Sequence, residues 1–198
     1  SQGIEAIQID PEKEYLDQFD VYYRVHSKTY GWMDWAKNGN ISGSYGKSAP
    51  INAIHIKVVH KADHVSLPMT RPYQGDEFLY QTHAAFVGWS TMLKSGQAIN
   101  NPSSGKQLEA IRVFLPTNIQ GGLNAWGYSQ NKGWIKEVHN GEVIGTVGQS
   151  LRLEAYELNL TGNISRNFDI AYRSYVDGFG WTPYTSNGGD SGSQHMSA

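Results

Sequence analysis

The chain has 198 residues and a formal net charge of −2, with 22 glycines, 12 tyrosines and no cysteine. That excludes disulfides and thiolate chemistry, and it leaves no basic footprint for nucleic acid or an anionic membrane surface. No apolar stretch approaches the roughly 20 residues that a membrane-spanning helix needs; no leader segment is visible, although a mature secreted chain would have lost one.

Residues 4–9 place Ile4, Ala6, Ile7 and Ile9 as in a short half-buried strand, which the acidic stretch 11–20 ends. Residues 21–27 predict the next strand, with Tyr23 and Val25 on one side, and 28–31 a turn. Residues 32–37 read as a strand or a short helix. Asn38-Gly39 is a strong hairpin signal. Residues 41–45 lead to a turn at Gly46-Lys47, and 51–58 form a closing strand. An insertion with Pro68, Pro72 and Gly75 occupies 60–76. Strands follow at 78–83 and 108–115, with a turn at 101–105, and 116–122 connects onward. The next closing strand is 151–160, then a polar turn at 161–167, and 169–175 opens the last segment, with Asp177-Gly178 as its turn.

These elements repeat. Gly31-Trp32, Gly88-Trp89, Gly133-Trp134 and Gly180-Trp181 are each followed by a glycine seven positions after the Trp: Gly39, Gly96, Gly141 and Gly188. An alanine lies 21 positions after the first three tryptophans, at Ala53, Ala110 and Ala155. The fourth alanine would fall at 202. Ile4-Glu5-Ala6-Ile7 reads as the closing segment missing from the fourth copy, and Ser191-Gly192-Ser193 matches Ser42-Gly43-Ser44. The expectation is one all-β domain of four repeats, approximately 11–59, 60–116, 117–160 and 161–198 completed by 1–10. About four short strands per repeat suggest a closed, propeller-like ring, since closure removes exposed edges. The alternatives are a β-trefoil or prism-like barrel, or a piece of a longer tandem array.

Six positions before each Trp stands His26, His83, Tyr128 or Tyr175. A ring with a hydrogen-bonding edge beside Trp32, Trp89, Trp134 or Trp181 suits the C–H face and hydroxyls of a sugar. A Trp recurring at one register also suits the core of each repeat. Trp35, Met92, Val138 and Tyr184 are read as shaping pocket or core. Glu5, Glu109 and Glu154 recur beside the alanine, with Asn52 in the first repeat. Accepting hydrogen bonds from the adjacent turn suits them better than catalysis, which needs two carboxylates in one cleft. His60, Asp63 and His64 lack the Glu of an HExxH zinc motif, so no metal or cofactor is expected. Asn159-Leu160-Thr161 and Asn163-Ile164-Ser165 satisfy the glycosylation pattern.

The repeats resemble the clostridial hydrophobic, or ChW, repeat. The resemblance rests on Tyr80-Gln81-Thr82-His83 with Gly88-Trp89, on 140–148, and on Leu151-Arg152-Leu153-Glu154-Ala155. It is similar at Tyr23-Arg24-Val25-His26 and Tyr172-Arg173-Ser174-Tyr175. Tyr128, Tyr175 and Asn52 depart from it. The resemblance implies a secreted or cell-surface protein of the Gram-positive type that serves adhesion or glycan binding. The expected function is therefore multivalent glycan or glycoprotein binding without enzymatic activity. A protein-binding or structural surface module and a glycan-acting hydrolase using Glu109 or Glu154 are the alternatives.

Overall fold

A computed structural model describes residues 3–69, 71–99 and 105–193. The protein is all-β, with three 3-10 turns at Lys13–Tyr15, Lys61–Asp63 and Ile164–Arg166 among the described residues. The expectation of a closed propeller, trefoil or prism-like barrel is overturned: among the described residues the strands form six sheets, and none of them closes. Closure would require one closing strand after another to continue the ladder around the molecule. The ladders stop instead at strands with an unpaired edge. The predicted turn at 101–105 lies, apart from Gly105, outside the described residues.

Each complete repeat has a long opening strand: Phe19–Ser27, Leu79–Ala84 or Gly122–Ser129. Along Gly122–Ser129 half-buried and buried residues alternate strictly, as a strand with one core face requires. On one edge the opening strand takes two short strands. One is the Gly-Trp pair, the other a dipeptide such as Ala36–Lys37 or Val138–His139. So residues 32–37 are neither a continuous strand nor a helix. On its other edge the opening strand pairs antiparallel with a closing strand, Ile51–His60, Leu108–Phe114 or Leu153–Thr161. Each of these three ladders slips by one residue, and the extra residue is Asn52, Glu109 or Glu154. The recurring acid or amide thus sits on a β-bulge, which re-aims a side chain out of the pleat.

The outer edge of a closing segment takes the glycine strand of the repeat that follows it. Ala6 pairs with Gly43, Ala110 with Gly145, and Ala155 with Gly192. The backbone at these glycines has φ of +124°, +110° and +151°, and an added Cβ would lie 2.1–2.3 Å from the carbonyl oxygen of Glu5, Glu109 or Glu154. No other residue fits such an approach. The same offset from Trp89 is Asn100, outside the described residues.

The chain divides into two compact units, Ser1–Asp76 with Pro116–Asn118, and Glu77–Leu115 with Ile119–Ala198. In the first unit Tyr23 and Val25 are fully buried, and the Tyr23 hydroxyl donates to the Asn40 carbonyl. Asn38-Gly39 forms a tight turn with both φ angles positive, the hairpin chemistry. Its flanking strands nevertheless pair with different partners, Ala36–Lys37 with the opening strand and Ser42–Ser44 with Ala6–Ile7. Burial of the Asp20 carboxyl raises its pKa. Lys37 at 2.7 Å and the Asn38 amide outweigh that and leave it below the ordinary carboxylate value. The insertion folds back on this unit. Tyr73–Gln74 adds a parallel strand beside Ser42–Ser44, and the Trp35 N–H donates to the Pro68 carbonyl at 2.9 Å. The second unit has a core of Ile111, Val113, Leu123, Ile144, Leu158 and Leu160 among others, each side chain there contributing roughly 1.5–3 kcal/mol.

Candidate functional site

The four Gly-Trp turns share one geometry. Ser27 faces Gly31, Ala84 faces Gly88, Ser129 faces Gly133 and Val176 faces Gly180, which leaves three residues in each hairpin loop. The glycines take φ between +68° and +93°, the left-handed position that closes such a loop. This sets Trp32 directly opposite His26, Trp89 opposite His83, Trp134 opposite Tyr128 and Trp181 opposite Tyr175. All four ring pairs meet edge to face, with centroids 5.3, 5.1, 5.6 and 5.6 Å apart. Trp32, Trp134 and Trp181 are 47%, 41% and 43% exposed, and Trp89 is half-buried. All four indoles are therefore braced at one edge, and three of them are wet over much of their body, surface elements more than core ones.

Cations lie on these rings. The Arg24 guanidinium is 4.8 Å from both Trp32 and Trp35. Arg112 lies 4.0 Å over Trp89, and Arg173 lies 4.6 Å from Trp181 and 4.5 Å from Tyr184. Arg24 comes from the opening strand, two residues before His26, so it shares that ring's face; Arg173 stands two residues before Tyr175, in the short stretch between Ala171–Tyr172 and Tyr175–Val176. Arg112 comes from the closing strand, opposite Gln81. In the third repeat Trp126 and Glu157 face each other at these two positions. In the first repeat Trp35 also packs against the tilted ring of His55, centroids 4.7 Å apart, and Lys57 lies 5.8 Å from its ring. The result there is a cationic, aromatic sheet face.

The bulged acids do a different job. The Glu109 side chain is 1% exposed, with Oε2 3.1 Å from His83 Nδ1, and it accepts the Gly148 N–H at 3.0 Å. Glu5 likewise accepts the Lys47 N–H at 3.2 Å. In the first repeat His26 Nδ1 lies 2.7 Å from Asn52 Oδ1. Glu154 accepts from Arg152 Nη2 at 3.0 Å. Glu109, buried, and Glu5, half-buried, thus accept backbone N–H groups from the glycine turn of the following repeat and tie neighbouring repeats together. His60 Nδ1 accepts the Ala62 N–H in the insertion.

The family model of Clostridial hydrophobic W, ChW, matches residues 26–60 and 128–162. Two segments of the chain are therefore similar to the ChW repeat. Each match opens on the braced ring, His26 or Tyr128, and runs through the Gly-Trp turn and the glycine strand to the end of the closing strand. No curated protein and no solved structure matches the chain.

Every predicted ring pair of the ChW-like hairpins is brought together, each within its own repeat. What the sequence reading missed is the arginine layer on the indoles. The signal was present as Tyr-Arg-x-His and Tyr-Arg-x-Tyr, where alternation puts the Arg on the face of the later ring. Trp35, unlike Trp32, is buried, at 4% exposed.

Proposed function

We propose that the chain is a carbohydrate-binding protein that works outside the cell or on its surface, through repeated shallow sites at Trp32, Trp89, Trp134 and Trp181, and that it has no enzymatic activity. The observation that carries the reading is the set of braced, partly exposed indoles at one register, three of them more than two-fifths exposed. A fixed aromatic plane beside a guanidinium suits a pyranose: the ring face stacks on the apolar C–H surface, and the arginine donates to hydroxyls or a carboxylate. His26, His83, Tyr128 and Tyr175 set the indole angle and offer polar edges. Each site alone binds weakly, and several on one chain raise retention on a polymer by avidity of about 10²–10⁴-fold where geometry permits. The acids support binding over hydrolysis, since Glu109 is enclosed and held by backbone N–H donation.

A glycan array tests this, with the chain compared against the triple variant Trp32→Ala, Trp134→Ala and Trp181→Ala. The expected outcome is retention on a subset of glycans that the triple variant loses, although circular dichroism shows it still folded at the temperature of the array. A blank array sinks the reading. One observation favours a protein-binding module instead: Ile54, Ile56 and Val58 form an exposed apolar row on the closing strand of the first repeat. A blank array together with capture of a protein that Ile56→Glu abolishes supports that second reading.

A further inference from the structure

One sheet face of the first repeat carries positive charge that the chain itself does not neutralise. Register places Arg24 opposite His55 and Tyr22 opposite Lys57, so these four side chains share a face, with His26 and its partner Trp32 beside them. The rings of Trp32 and Trp35 lie 6.3 and 4.7 Å from that of His55, and the Arg24 guanidinium is 4.8 Å from both indoles. Lys57 lies 5.8 Å from Trp35. Arg24, Lys57, His55 and the two indoles thus form one contiguous patch. Among the described residues neither Arg24 nor Lys57 has a carboxylate partner. The nearby acids are engaged elsewhere. Asp20 is held by Lys37 at 2.7 Å and by the Asn38 amide, and Asp34 accepts the Arg71 N–H.

The face continues along the strand. Past Arg24 it opens into a cavity of about 180 Å³ whose lining includes Tyr22, Lys37, His60, Lys61 and His64. From Arg24 to Asp20 the strand covers about 13 Å, more than the length of one sugar ring. The third repeat has the same hairpin without this charge. Trp126 stands where Arg24 does and Glu157 where His55 does, while Asn124 and Asn159 replace Tyr22 and Lys57. In the fourth repeat an arginine again meets two rings, Arg173 at 4.6 Å from Trp181 and 4.5 Å from Tyr184. The Gly-Trp hairpin is therefore common to the repeats, and the positions around it set what each would accept.

We propose that this face of the first repeat is a site for an acidic polysaccharide, in which the carboxylate of a uronate ring pairs with Arg24 and Lys57 while the ring lies against Trp32. The inference rests on the carbohydrate reading above and adds the chemical class of the sugar. A guanidinium fork matches a carboxylate through two parallel hydrogen bonds. Packed near two indoles, Arg24 has less freedom to lose on binding than a lysine would. Lys57, on an exposed stretch of the closing strand, supplies a second charge. The partly exposed indole of Trp32 adds an apolar surface for the C–H face of the sugar, which charge alone would not require. The chain as a whole has a net charge of −2, so the attraction is local to this face.

Affinity electrophoresis of the chain through gels containing polygalacturonate or alginate tests the proposal. Each polymer is compared with its carboxyl-reduced form, and polyglutamate serves as an anion without sugar rings. The expected result is retardation by at least one acidic polysaccharide, about tenfold weaker on its reduced form, the scale of one hydrogen bond to a charged group. Polyglutamate should retard the chain little. Arg24→Lys keeps the charge and loses the fork, and Lys57→Gln removes a charge from an exposed position where the fold is not at stake. Each should weaken retention on the acidic polymer about tenfold. No retention on either acidic polymer, equal retention on the reduced form or on polyglutamate, or retention that neither substitution changes overturns the proposal. The glycan array separates the two failures: binding to neutral glycans without preference for acidic ones leaves the carbohydrate reading standing and sinks this one, and a blank array sinks both.

Discussion

Gly43, Gly145 and Gly192 face the carbonyls of Glu5, Glu109 and Glu154 at a distance that leaves no room for a side chain. Gly31 also has positive φ, at +68°, but an added Cβ there would meet nothing within 4 Å. The two kinds of glycine separate conformation from contact. Gly145→Ala should cost about 2–4 kcal/mol, because a clash with backbone adds to the strain of the left-handed region. Gly31→Ala should cost about 1 kcal/mol, from strain alone. Urea unfolding of the two variants checks this, and equal losses would show that the close approach to Glu109 carries no energy.

At the scale of the element, the Gly-Trp hairpin and the closing-strand bulge act together. The three-residue loop sets the indole opposite its ring partner, and the bulge turns Asn52 or Glu109 toward the same ring. The indole is thus positioned by backbone geometry and braced at one edge, while much of it stays in water. Trp32→Ala should cost about 1–2 kcal/mol. Trp35→Ala, which empties a buried site under Arg24 and against His55, should cost about 3–5 kcal/mol. Denaturant midpoints of the two variants give the comparison. If Trp32→Ala proves the more damaging, the indole at the hairpin is core, and the surface role proposed for it fails.

For the whole molecule, the ladders join neighbouring repeats through glycine strands and stop at open edges. The first unit is edged by residues 4–9, which occupy the backbone groups of Gly39, Ser44 and Ile51. Removing residues 1–10 leaves Ser42–Ser44 paired, among the described strands, with Tyr73–Gln74 alone. Two compact units predict two unfolding transitions. The deletion should lower the transition of the unit containing residues 11–76 by several degrees and leave the other in place. Calorimetry with hydrogen exchange assigned by residue distinguishes the two. A single transition that shifts as a whole would mean that the units unfold cooperatively.

Much was legible in the residues alone. Alternation, glycine-rich turns and two recurring spacings established short antiparallel strands in repeated order, because these patterns depend on chemistry within a few positions. The pairing of His26, His83, Tyr128 and Tyr175 with the tryptophans was readable for the same reason: a six-residue separation across a glycine turn leaves little choice of register. The arginine layer could have been read from alternation. Closure could not. Whether the segment at Ile4 joins Gly43 alone or also Tyr175 depends on which edges meet across long stretches of chain, and local patterns are the same in a ring and in an open array. The insertion was equally silent, since the parallel pairing of Tyr73 with Gly43 has no short-range signal. The bulges were hidden because one extra residue leaves the spacing within each strand unchanged and shows only against its partner strand. Burial too was decided by packing: Trp32 and Trp35 are the same residue three positions apart, yet one is 47% exposed and the other 4%, a difference that only the folded chain sets.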